Sequence, residues 1–225
     1  MQVLSINELY NIEGNNNKIL FVKNGKEICV EEKIQGLDVR IKGNNNTIKL
    51  EQPFIPTNSV IIIENDNVNI NIGSTNYFRN VIISCFLGDK QKLTIGKNTK
   101  IVECHFILEE EGEIYVGENC LFSSKILFRT SDGHSIISQK DKKVLTKKAK
   151  KVQIGNHVWI GIETMVLKNS RVGNDCIIGA RSIVNKVFDK DNALLAGIPA
   201  KIIKTGVNWR QENPWMLENG IIWEK

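Results

Sequence analysis

Three histidines stand in this chain, His105, His134 and His157. The imidazole is the side chain whose unperturbed pKa lies nearest working pH, so each is a candidate general base. His134 has the strongest claim by position. It lies in a polar insertion of more than twenty residues, between an aliphatic pattern that ends near Phe128 and one that begins at Val152. Insertions of that length in a compact domain are usually functional or disordered. Asp132 could orient the imidazole, although a separation of two residues on an extended loop tends to point side chains apart, and a backbone carbonyl is an equal candidate. His157 reads as a solvent-facing, structural residue of its repeat, and His105 as a hydrogen-bonded ring in a local bulge where the pattern wants a small residue. No two of the three have metal-ligand spacing, which argues against a zinc centre. The five cysteines are scattered, odd in number and without a CxxC pair, so they read as reduced and mostly buried small hydrophobes.

The elements that must position His134 are legible in the downstream metre. Ile154, Ile160, Val166, Val172, Ile178 and Val184 follow one another at intervals of six, and Gly155, Gly161, Gly173 and Gly179 directly follow four of them. That period fits neither a helix nor plain strand alternation, and it is the signature of hexapeptide repeats in a three-faced solenoid. Val158, Thr164, Ser170, Cys176 and Ser182 take the small position suited to narrow corners, so Val152 to Asp189 predicts about two full turns. An earlier stretch keeps the metre through Ile95, Ile101 and Ile107, slips near Glu110 to Glu113, and resumes at Val116, Phe122 and Phe128.

Before it, Ile12-Glu13-Gly14-Asn15-Asn16-Asn17-Lys18-Ile19 recurs at Ile41 to Ile48 and, degraded, at Glu64 to Ile70. Gly and Asn tolerate positive φ, so these strings read as corners too. Three units are expected: residues 1–90 as irregular β-helical coils or a β-rich cap, 91–205 as the hexapeptide β-helix, and 206–225 as a tail. The tail carries Trp209, Trp215 and Trp223, and is expected to fold over the last coil or a neighbouring subunit, or else to line the substrate site. Lys140, Lys142, Lys143, Lys147, Lys148, Lys150 and Lys151 gather in one loop of a chain with net charge +5. No aromatics interleave them, which argues against nucleic acid and leaves a solvated loop or an approach surface for an anionic ligand. No apolar run is long enough to span a bilayer and no signal segment opens the chain, so the expected location is cytoplasmic.

The strings Ile154 to Gly161, Ile178 to Val184, Ala196 to Lys201 and Arg129 to Ile136, taken together and in this order, resemble the left-handed β-helix acyltransferases, and within them the bacterial sugar and polysaccharide O-acetyltransferases. The resemblance covers about Ile95 to Thr205. It implies an all-β, left-handed parallel β-helix and a homotrimer. It also implies direct acetyl transfer from acetyl-CoA to a hydroxyl of a surface glycan or its sugar precursor, with no metal. By matching position, His134 would be the base and Trp159 would line the acceptor site, against plain packing at a subunit contact. Gly161, Ile162 and Ala180 would lie beside the thioester arm, and Asn185, Lys186 and Lys201 nearer the nucleotide end. Ile162 and Asn185 depart from the residues common in relatives, a Ser or Ala and a Thr. Alternatives are an N-acetyltransferase of nucleotide-linked amino sugars, a trimeric zinc lyase on the same fold, and a non-catalytic solenoid.

Overall fold

Strands of two to six residues, separated by tight corners, wind into a three-faced parallel β-helix. The computed structural model describes residues 6–146, 148 and 151–222. Among these residues face 1 holds eight strands, running from Asn11–Glu13 through Ile126–Arg129 to Ile183–Val184. Face 2 holds nine, from the hairpin strand Lys26–Cys29 through Lys151–Ile154 to Val187–Phe188. Face 3 holds eight, from Phe54–Thr57 through Trp159–Ile160 to Ala193–Gly197 and Ala200–Thr205. The chain visits faces 1, 2 and 3 in turn, so coils are numbered by their face 1 strand. The coils built from residues 11–90 lie in the same three sheets as those that follow.

The metre has a physical origin in the register. One inward residue per short strand stacks on its equivalent in the next coil, as in the face 1 column Val39, Ile61, Ile83, Phe106, Phe128, Val166 and Val184. All seven are fully buried. Phe78, Ile101, Phe122, Ile160, Ile178 and Leu195 form the matching column of face 3. Side-chain dispersion along such columns and removal of their apolar area from water hold the solenoid together. The rings of Phe106 and Phe128 stack at 5.0 Å, those of Phe122 and Phe128 at 5.5 Å.

The structure corrects two expectations on this stretch. Ile107 does not join the column; it pairs with Arg129 on the outer side, and Phe106 takes the inward place. The corner between Ile101 and Cys104 is one residue shorter than that between Phe122 and Ile126, and a shift of one residue reverses which face each side chain meets. His105 therefore sits in a regular strand, paired with Ile82 and Leu127, and not in a bulge. Its ring is hydrogen-bonded as expected, Nε2 to Ser84 Oγ at 3.0 Å, and burial lowers its pKa.

Corners repeat as strictly as strands. Asn119, His157, Asp175 and Asn192 take the same left-handed place between faces 2 and 3 in successive coils, with φ between 53° and 58°. The small residues Val158, Thr164, Ser170, Cys176 and Ser182 are all buried at corners. The Asn-rich strings stack one on another: Asn46 Nδ2 donates to Asn65 O at 2.9 Å while its Oδ1 accepts from Val68 N at 2.8 Å. Both ends of the prism are closed. Tyr10, whose hydroxyl accepts from Ile34 N at 2.8 Å, and Val30 pack below the first coils, and Ala200–Thr205 turns back antiparallel on Ala193–Gly197 at the other end.

Candidate functional site

The only long excursion from the coils among the described residues leaves the corner between faces 1 and 2 in coil 6, after strand Ile126–Arg129, and returns at Lys151–Ile154. Its root is a hydrogen-bonded pedestal. Arg129 grips Glu109 of the coil below with two bonds, Nε to Oε2 at 2.9 Å and Nη2 to Oε1 at 3.1 Å, and Glu109 is only 1% exposed. That pairing raises the arginine pKa further. Thr130 Oγ1 accepts from Glu109 N at 2.9 Å and donates to Glu109 O at 3.1 Å. A Cβ on Gly112 would meet this hydroxyl oxygen at 2.3 Å, so the slip near Glu110 to Glu113 is the corner widening around Thr130. Ser131 Oγ donates to Glu110 and accepts from Gly133 N at 3.1 Å, and Gly133 turns the chain with φ +74°.

His134 follows that turn and is exposed, at the foot of a small hairpin. Ile137 bridges Val144, and Leu145 N donates to Ile136 O at 2.7 Å. The Asp132 carboxylate is bound by the Lys168 ammonium from the same corner of coil 7. Lys140, Lys142, Lys143 and Lys148 are exposed on the loop, whereas Lys147 and Lys150 lie outside the described residues. Lys151 is no loop residue; it opens a face 2 strand and pairs with Glu113 at 3.0 Å.

The remaining candidates are spread over one face and two edges. Trp159 projects outward from face 3 of coil 6, 40% exposed. Gly161 and Ile162 form the corner from face 3 to face 1 in that coil, and Ala180 stands above them, its nitrogen 2.6 Å from where a Gly161 Cβ would sit. Ala196 and Gly197 continue this line of small residues in coil 8, and Lys201 pairs with Ala196 at the end of it. Ile162 is 43% exposed beside the strip. Asn185 and Lys186 lie elsewhere, on the corner between faces 1 and 2 in coil 8, two coils from His134 on the same edge. In a triangular cross-section that edge lies opposite face 3. The filled core of the prism thus separates His134 from Trp159 within one chain.

His157, read as a solvent-facing residue of its repeat, is half-buried at its corner, with Nδ1 2.9 Å from Asp175 Oδ1. The tail goes further than expected. It passes the last coil and descends the edge between faces 2 and 3: Trp209 Nε1 donates to His157 O at 2.9 Å, and Lys100 Nζ to Gln211 Oε1 at 2.8 Å in coil 4. Trp223 lies outside the described residues. Sequence reasoning missed the Arg129–Glu109 pair, the Lys168 partner of Asp132 and the stacking of Trp209, since none has a local signature. Among the described residues no cluster of three His, Cys, Asp or Glu side chains could hold a metal ion, and no helix is long and apolar enough to cross a membrane.

Residues 151–186 match the family described as bacterial transferase hexapeptide (six repeats). A polysialic acid O-acetyltransferase of Neisseria meningitidis is 27% identical over 201 residues, 89% of each chain. An uncharacterised 24.8 kDa protein of the Klebsiella pneumoniae cps region is 30% identical over 165 residues, 68% of this chain and 72% of the other. Among solved structures, the polySia-specific acetyltransferase NeuO superposes with a TM-score of 0.75 at 24% identity, over 91% of this chain and 89% of that one.

Proposed function

Because the chain belongs to the bacterial hexapeptide-repeat transferases, with their left-handed parallel β-helix, we propose that it is an acetyltransferase moving acetyl groups from acetyl-CoA to a hydroxyl of a bacterial surface glycan. The observation that carries this reading is the pedestal of Arg129, Glu109 and Thr130, which lifts a histidine out of an otherwise continuous prism. A purely structural solenoid has no use for such a device.

His134 accepts the proton of the acceptor hydroxyl on an imidazole nitrogen as the oxygen attacks, then returns it to the leaving sulfur. Acetyl-CoA would supply the acetyl group already activated as a thioester. The strip of Gly161, Ala180 and Gly197 fits its narrow arm: side chains there are absent or one carbon long, so backbone amides stand open to an extended ligand. Lys201 at the end of the strip, with Asn185 and Lys186, would meet the nucleotide phosphates. Trp159 lines the acceptor side. These groups sit on two edges and one face of a single prism, so the site forms where the His134 edge of one copy meets the Gly161 edge of the next, in a closed homotrimer. The reaction belongs in the cytoplasm, where acetyl-CoA is made.

The test is transfer of labelled acetyl groups to a panel of bacterial glycans. His134→Ala should lower kcat about a hundredfold or more with the KM for acetyl-CoA nearly unchanged. A variant with near-normal turnover would remove His134 from the mechanism.

A further inference from the structure

The tail runs down the edge between faces 2 and 3 as a strap with one buried anchor. From Ala200–Thr205 it turns back and bonds three successive coils: Val207 N to Asn192 O at 3.1 Å in coil 8, Asn208 Nδ2 to Asp175 Oδ1 at 3.5 Å in coil 7, and Trp209 Nε1 to His157 O at 2.9 Å in coil 6. Trp209 is 6% exposed, against 63% for Trp215 six residues on. Its ring lies nearly parallel to that of His157, with centroids 4.4 Å apart and planes at 15°. Its other neighbour is Trp159, at 6.2 Å and 47°.

Trp159 needs such support. Its strand, Trp159–Ile160, is two residues long, its side chain points away from the core, and its strand partners on either side are Leu121 and Ile177. Neither aliphatic can set the plane of an indole. His157 is itself held, by the left-handed corner and by Asp175, so the stack rests on a rigid base.

We propose that Trp209 is a positioning residue: it fixes the Trp159 ring toward the acceptor, making the C-terminal strap a determinant of acceptor binding. The proposal rests on the reading that Trp159 lines the acceptor site. The small-residue edge, where the acetyl donor would lie, borders the opposite side of face 3 from the corner that Trp209 binds, so the two substrates should respond differently to its loss.

Two variants test it. Trp209→Leu removes both ring contacts and should raise the acceptor KM roughly three- to tenfold, the scale of an aromatic pair, with the acetyl-CoA KM unchanged. Trp209→Phe keeps a ring and should recover most of the loss. An unchanged acceptor KM, or equal rises in both KM values, overturns the proposal. A second measurement needs no turnover. With Trp215→Phe and Trp223→Phe added, each variant has Trp159 as its sole tryptophan. Acrylamide should then quench Trp159 more readily in Trp209→Leu than in Trp209→Phe. Equal quenching sinks the positioning role, whatever the activity. Unequal quenching in a protein that acetylates no glycan supports it, and counts instead against the acetyltransferase reading.

Discussion

Among the described residues Glu109 is the one charged residue that is buried, and its position explains why the His134 loop has a defined root. A carboxylate that is 1% exposed is tolerable because Arg129 gives it two bonds and Thr130 satisfies the backbone beside it. Removing the arginine strands the charge. Arg129→Ala should lower stability by about 1–3 kcal/mol, seen as a lower melting temperature. It should also reduce kcat while leaving the acetyl-CoA KM close to wild type, and equal kcat in the two proteins would detach the pedestal from catalysis. The cysteines make a second residue-scale case. Burial pushes the Cys85 thiol up to about 12 and the Cys120 thiol up to about 11, and Cys104 and Cys176 are also raised by burial. At pH 8 Cys120 is then thiolate in only about one molecule in a thousand. A thiol reagent at that pH should modify exposed Cys29 quickly and the other four only on unfolding. Two fast thiols in the native protein would contradict this packing.

At the scale of elements, corners matter as much as strands. Each strand is too short to hold its register alone, and hydrogen bonds between stacked corners supply what is missing. Asn46 is fully buried and serves three coils: its backbone N–H bonds Asn17 at 3.1 Å below, and its side chain bonds Asn65 and Val68 above. Asn46→Ala leaves the Asn65 carbonyl and the Val68 amide without partners. The expected cost is about 1–3 kcal/mol for each unsatisfied group, and because repeats mainly contact their neighbours the loosening should stay local. Amide exchange should quicken in residues 11–72 and stay slow in residues 151–188. A uniform change along the chain would show instead that the prism unfolds as one unit.

For the whole molecule, the triangular cross-section sets a strong condition on function. His134 rises from the edge opposite the face that carries Trp159, with the aliphatic core between them. If each site draws His134 from one copy and Trp159 from the next, two inactive variants should rescue each other. Mixed assemblies of His134→Ala and Trp159→Ala, refolded together in equal amounts, should regain roughly a quarter of wild-type activity through sites that pair the two intact residues. Absence of rescue in an assembly shown to be mixed would place both residues in one chain's site, or remove Trp159 from it.

The amino-acid sequence alone specified the solenoid, since a six-residue period of buried aliphatics at Ile154, Ile160 and their successors has one packing solution, and it singled out His134 because an insertion is visible as a break in that period. It was blind to a corner shortened by one residue, which moved Ile107 outward and Phe106 inward, because apolar residues stand at both places and only the strand pairing chooses between them. It was equally blind to contacts whose partners are far apart in the chain. The Arg129–Glu109 pair spans 20 residues and the Trp209–His157 bond spans 52, and their geometry exists only once coils are stacked and the tail is laid across them. Periodic burial is a local property that a chain displays residue by residue. The assignment of His134, Gly161 and Trp159 to two edges and one face of the prism is a property of the closed cross-section, and only the tertiary structure decided it.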